Sequence, residues 1–288
     1  MTVASHDAPV LAWESPPPLP QQRWVAAART ALRIAAQGLG RTTSGLVLPL
    51  LVLALWTTAS QRRWVPEQLL PAPALVWQTL QELWTSGDLI LHLGYSASRV
   101  GWSLGIGGSI GLALGFGLAL SRTMRAYLLP SFNVISQFPV LGWVPLLIIF
   151  AGIDEALKIS AISIAVVVPV TLNTLRGLEN IPPALLEVGK VYRFSPPQLL
   201  WRVLLPAAAP SLFTGLRQAV MQAWVSLVFV ELLASSEGVG YLIVWGRQLA
   251  QPDLVAAGMI VIGAIGLLLD GGLGRLERRL QSWRRPAY

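Results

Sequence analysis

Cysteine is absent from the 288 residues, and histidine occurs only twice, at His6 and His92. The first absence removes disulfides, thiolate metal sites and cysteine nucleophiles; the second leaves no histidine cluster able to hold a metal. Charge is scarce as well. The 14 Asp/Glu and 21 Lys/Arg make up 12% of the chain, against roughly 25% in soluble proteins. Hydrophobic residues reach 54% and the mean hydropathy is +0.60, so a compact soluble domain would lack the polar shell it needs. Disorder fails for the opposite reason, an excess of apolar surface. The phosphate-cradling sequence G-x-x-x-x-G-K-[ST] is also missing: Gly189-Lys190 has neither the upstream glycine nor the following hydroxyl.

What remains is apolar and helical, with no period-two strand pattern, and it reads as an all-α polytopic membrane protein. Residues 1–43 form a polar, Pro-rich tail with Arg23, Arg29, Arg33 and Arg41 and no apolar signal region near Met1. Six stretches then approach the ~20 residues that cross a hydrocarbon core: 44–60, 98–120, 131–151, 157–175, 213–233 and 254–273. The transmembrane domain thus covers 44–273, with a long loop at 176–212 and a basic end at 274–288. Residues 73–86 carry Leu75, Val76, Leu80, Leu83 and Trp84 near helical spacing, a helix either lying in the interface or packed over the bundle.

The net charge of +7 and pI near 10.5 suit either nucleic acid or the inner loops of a membrane protein. Placing each base decides for the membrane. With both termini inside, sixteen of the 21 bases fall on the cytoplasmic side. Arg62, Arg63 and Arg247 fall outside, and Arg99 and Lys158 lie at boundaries. In the second stretch Gly101/Gly105 and Gly107/Gly111/Gly115 form small-xxx-small series, read as sites of close helix packing.

The loop 176–212 is the most informative segment. Pro182-Pro183 and Pro196-Pro197 open two short helices, 183–192 and 197–204. The first presents Leu185, Leu186, Val188 and Tyr192 around one acid, Glu187, an apolar knob suited to docking a soluble partner.

This loop resembles the EAA loop of the membrane subunits of bacterial ABC importers, E-A-A-x3-G-x9-I-x-L-P. Glu187 stands at the acid, Val188 and Gly189 replace the alanines, and Arg193 stands at the glycine. Val203 stands at the isoleucine, and Leu205-Pro206 match in identity and spacing. Leu70-Pro71-Ala72-Pro73, Pro145-Leu146-Leu147-Ile148, Gly215-Leu216-Arg217 and Gly238-Val239-Gly240-Tyr241-Leu242 are similar to the nitrate/sulfonate/taurine branch, and Trp283 to Tyr288 to its alkanesulfonate permeases. The resemblance implies the type I importer permease fold and a homodimer in the inner membrane. It further implies two ATPase subunits that bind ATP and magnesium, and a periplasmic binding protein. The cargo implied is a small anion, most of all an aliphatic sulfonate, with nitrate, taurine and bicarbonate as alternatives. This chain itself is then a non-catalytic subunit without cofactor or metal.

Polar residues within the spans are the second candidate set, since charge there normally faces a cavity or a partner. Gln218, Gln222 and Ser226 repeat along one side of the fifth stretch; Arg217, Trp224 and Glu231 repeat along another. With Asn133 and Gln137 of the third stretch, these are the candidate path, although Glu231 could also sit solvated at the outer boundary. Asn173 and Thr174 suit interhelical bonding. Asp154, Glu155 and Asp253 are read as outer acids, free to meet a binding protein, and the terminal bases as lipid-headgroup contacts. An ATPase-independent channel or secondary transporter would need ionisable groups at midspan, where only Glu231 and Asp270 qualify. An intramembrane enzyme lacks any nucleophile–base pair.

Overall fold

A computed structural model describes residues 47–280. The expectations for the N-terminal tail, for residues 44–46 and for residues 281–288 lie outside the described residues. The chain divides after Arg62 into two units. The first holds α1, Val47–Gln61. At 1.5 Å rise per residue it is about 22 Å long, short of a ~30 Å hydrocarbon core.

The second unit is a helical bundle: α2 (Pro73–Thr85), α3 (Asp88–Leu120), α4 (Arg122–Ile135), α5 (Val140–Ala151), α6 (Glu155–Glu179), α7 (Pro183–Val191), α8 (Pro196–Leu199), α9 (Leu205–Ala234), α10 (Val239–Gln248) and α11 (Pro252–Leu280). Four segments are long and apolar enough to cross a membrane, and a fifth if α4 and α5 count as one bent span. Six spans were expected, so the count is met in full only if the short α1 is added.

Helix α6 is the centre of the bundle. Its Ile162, Val166 and Val170 pack with Ala219, Ala223, Trp224 and Leu227 of α9 in the main core. On its other flank, α3 approaches through Gly107, Gly111 and Gly115. A Cβ on Gly107 would lie 2.5 Å from the Ser163 carbonyl oxygen, and one on Gly115 2.5 Å from Thr174 Cβ. The expected close packing is therefore carried by one of the two glycine series. Gly101 and Gly105 have nothing within 4 Å of an added Cβ, so that series packs against nothing within the described residues.

Three further expectations need correction. The stretch 131–151 is not one straight helix, because α4 and α5 meet at 95° across residues 136–139. Pro139 lacks an N–H and bars helical geometry at Phe138, so the first helix ends before it and the second begins after it. The helix that carries the second stretch starts earlier, at Asp88, and Arg99 within it is neutralised inside the bundle, as described below. The second loop helix does not end at 204. A π turn at Leu200–Leu204 joins α8 to α9, with the Leu205 N–H reaching back to the Leu200 carbonyl. The wider π register removes the clash that Pro206 would make in an α-helix.

Of the two readings of 73–86, packing over the bundle describes the inner face of α2. Leu80 and Leu83 join Leu89, Val239, Leu242 and Val261, and Thr79 donates to Asp253 at 2.7 Å. Trp77 and Trp84 on the other face are exposed.

Candidate functional site

Three places in the bundle gather chemistry: the loop between α6 and α9, a cavity beside α9, and a buried cluster of charges.

In the loop, Leu185, Val188 and Tyr192 are exposed together with Val191, Leu186 is half-buried, and Glu187 faces solvent. Gly189 is buried beneath them, and a Cβ there would meet Leu199 Cδ1 at 2.6 Å. That close approach folds α8 back under α7. The turn itself is made by Arg193, whose φ is +51°. Its N–H donates to the Lys190 carbonyl and the Phe194 N–H to the Gly189 carbonyl, both at 3.0 Å. These two bonds close a Schellman motif, in which a left-handed residue ends the helix. Arg193 thus occupies a conformation that favours glycine, which explains why a glycine stands there in the EAA pattern. Ser195 contributes downstream, its N–H donating to Gln198 Oε1 at 3.0 Å. Val203 and Leu205 are half-buried and Pro206 is exposed along the π turn and the start of α9.

The cavity measures about 800 Å³ and lies against the break between α4 and α5. Phe138, Pro139, Trp143, Met221 and Val225 form its apolar wall, and Gln137, Arg217, Gln218 and Gln222 line it too. Arg217 Nη2 meets Asp270 at 2.6 Å and Nη1 meets Glu277 at 2.8 Å. Ser226, 4% exposed, lies in an adjoining small pocket with Gln222, Val225 and Phe229. Asn133 sits elsewhere, in a shallow pocket with Arg122, Arg125 and Pro130. The structure therefore brings four of the seven candidates together, sets Ser226 beside them and removes Asn133.

Glu231 is removed as well, and so is its reading as a solvated boundary acid. It is 1% exposed. Its Oε1 accepts from Ser96 at 2.8 Å and from Arg99 Nη1 at 2.7 Å, and its Oε2 accepts from the Gly240 N–H at 2.9 Å. Arg99, 2% exposed, also donates Nε and Nη2 to the two oxygens of Glu155 at 2.8 and 2.7 Å, a bidentate pairing. Lys158 completes the group at 2.6 Å from Glu155. Two positive and two negative charges thus cancel where α3, α6 and α9 meet. The same arginine reaches the Glu237 carbonyl at 2.7 Å, fixing the turn into α10. Arg99 and Lys158 are buried and paired, and Glu155, half-exposed beside them, is not a free outer acid. No spacing in the sequence joins all four: Glu155 and Lys158 are one helical turn apart, but Arg99 and Glu231 lie far from them along the chain. The one signal was Gly238-Val239-Gly240, whose missing Cβ atoms make room for the Glu231 carboxylate.

The family model for the inner membrane component of binding-protein-dependent transport systems matches residues 107–282. The chain belongs to that family. Relatives of this family extend the match to most of the chain. The putative aliphatic sulfonates transport permease SsuC of Bacillus subtilis is 37% identical over 240 residues, 83% of this chain and 87% of that protein. The taurine transport system permease TauC of Escherichia coli is 32% identical over 237 residues, 81% of this chain and 86% of that protein. Among solved structures, a chain of the methionine ABC transporter MetNI, captured in inward-facing conformations, superposes with a TM-score of 0.56. It is 18% identical and covers 68% of this chain and 97% of that one; at that identity the likeness establishes the fold, that of a type I ABC importer permease. The chain is a multi-pass membrane subunit of an ABC-type import system, and as a family member its part is transport. Within that family role, the loop is the feature that can be gripped from outside the bundle, and the cavity is the feature that can hold cargo.

Proposed function

We propose that this chain is the permease of an ATP-driven importer for aliphatic sulfonates. The observation that carries the proposal is the 37% identity with a sulfonate permease over most of both chains. Taurine, the cargo named for a second relative, is chemically also an alkanesulfonate, so the two names share one headgroup. The cavity chemistry agrees: an apolar wall of Trp143, Met221 and Val225 for a short alkyl tail, and side-chain amides for sulfonate oxygens.

The permease works as a pair of identical subunits. It receives cargo from a periplasmic binding protein and is driven by two cytoplasmic ATPase subunits that bind ATP and magnesium. Both termini are cytoplasmic. Helix α7 is the knob that the ATPase grips, with Leu185, Val188 and Tyr192 as its apolar contacts and Glu187 as the one acid among them. Because α8 runs through the π turn into α9, a displacement of α7 passes directly to the helix that lines the cavity.

Two measurements test this. A strain lacking the gene should grow on sulfate and fail on ethanesulfonate as sole sulfur source, and regain growth when the gene is restored. Undiminished growth of the deletion strain on sulfonates would overturn the cargo assignment. Glu187→Lys should insert normally yet lose the ATPase on affinity purification. Retention of the ATPase with wild-type uptake would overturn the role of α7.

A further inference from the structure

Arg217 is, among the described residues, the one basic side chain lining the cavity, and its guanidinium is already occupied. Nε and Nη2 both donate to Asp270 Oδ1, at 3.2 and 2.6 Å, and Nη1 donates to Glu277 Oε2 at 2.8 Å. With its three nitrogens engaged by two carboxylates, the guanidinium has little left to offer an anion at that end of the cavity.

The amide wall is arranged differently. Asn173 Nδ2 donates to the Pro169 carbonyl and to Gln218 Oε1, both at 2.8 Å. A carbonyl only accepts, so the Asn173 atom facing Pro169 has to be its NH2 group. The second hydrogen of that group then requires the oxygen of Gln218. The Gln218 amide is thereby locked with Nε2 turned away from Asn173, and among the described residues that NH2 has no protein acceptor. Gly215 makes the arrangement possible, since a Cβ there would stand 2.7 Å from Asn173 Cβ.

We propose that Gln218, oriented by Asn173, is the hydrogen-bond donor that receives the cargo's anionic headgroup in the cavity, while Asp270 and Glu277 withhold Arg217 from it. This rests on the sulfonate-importer reading above. The physical reason is release: a transport site has to bind strongly enough to admit its cargo and weakly enough to let it go. A bare guanidinium would grip a sulfonate with charge-assisted bonds roughly twice as strong as neutral ones. A neutral amide offers a donor without that grip. Asn173 acts as a positioning residue and Gln218 as the residue that meets cargo.

The test uses the complete transporter in liposomes, permease with its ATPase and binding protein, and reads uptake of radiolabelled ethanesulfonate per ATP hydrolysed. Gln218→Glu keeps the bond from Asn173 but replaces the donor with a negative charge, and uptake per ATP should fall about tenfold or more. Should that variant fail to assemble, Gln218→Met removes the donor without adding charge and carries the same expected loss. Asn173→Ala, which frees the amide to turn, should lower uptake per ATP while binding-protein-stimulated hydrolysis persists, a split that a merely structural role would not produce. Asp270→Asn should slow uptake and raise the ethanesulfonate retained by the purified permease in equilibrium dialysis. Unchanged uptake per ATP in both Gln218 variants, or faster transport without retention in Asp270→Asn, overturns the inference. A wild-type transporter that takes up no sulfonate overturns the importer reading instead.

Discussion

Arg99 shows how a single side chain can be misplaced by sequence and resolved by packing. A lone arginine at the edge of an apolar stretch reads as a boundary anchor. In the bundle it is buried against Glu155 and Glu231, with every donor nitrogen engaged. Removing it strands the buried Glu231 carboxylate in a medium that cannot solvate it. Arg99→Met should therefore destabilise the protein by about 3–5 kcal/mol, measured as a lower midpoint of unfolding in mixed detergent micelles. Adding Glu231→Gln to that variant should recover part of the loss, because the stranded charge is gone. Equal stability of Arg99→Met and wild type would show that the quartet holds nothing together. The candidate residues of the loop were legible because a local pattern carries them, as Glu187 and Leu205-Pro206 do. The quartet was not, because its members come from three separate helices.

At the scale of the element, glycine spacing was legible in part. Two series stand in α3, and the sequence gives both the same packing role; the structure separates them by what lies opposite. Gly111→Ala would bring a Cβ to 2.8 Å from Val170 Cβ, whereas an added Cβ on Gly105 meets nothing within 4 Å. Overpacking at a tight helix contact costs about 1–3 kcal/mol, so Gly111→Ala should lower the unfolding midpoint and Gly105→Ala should leave it near wild type. Similar midpoints for the two would contradict the α3–α6 contact described here. Proline was legible as punctuation but not in its consequence. Pro139 ends one helix and starts another at 95°, while Pro206 is absorbed by a π turn and α9 runs on. The residue type is the same; the difference lies in which carbonyl the ring would strike and whether the local register can widen.

For the whole molecule, the absence of cysteine becomes an experimental advantage. The proposed topology places Ser195 in the cytoplasmic loop and Ser236 in the outer turn between α9 and α10. With no native thiol to remove, Ser236→Cys in cells with a permeabilised outer membrane should react with a membrane-impermeant maleimide. Ser195→Cys should react only in inverted vesicles. The reverse pattern would overturn the orientation argued from the basic loops. The exposed apolar side chains of α5 and its following turn, among them Ile149, Phe150 and Ile153, belong to the face offered to lipid or to a second copy.

Composition and local pattern alone determined the class of this protein. Scarce charge and long apolar stretches require lipid around it, and the distribution of bases and the spacing around Glu187 carry the proposed orientation and docking loop. These are properties of segments, and a segment carries them wherever it lies. Tertiary structure decided which polar side chains meet. It brought Arg99, Glu155, Lys158 and Glu231 together, bound Arg217 to Asp270 and Glu277, and turned Gln218 toward the cavity through Asn173. Pairing depends on which helices pack side by side, and in lipid that is settled by close approach at glycines and by polar groups seeking partners. The scarcity of charge that marks the sequence is thus sharper in the fold: of the few charges inside the bundle, those in these two clusters are paired, and amides line the cavity beside them.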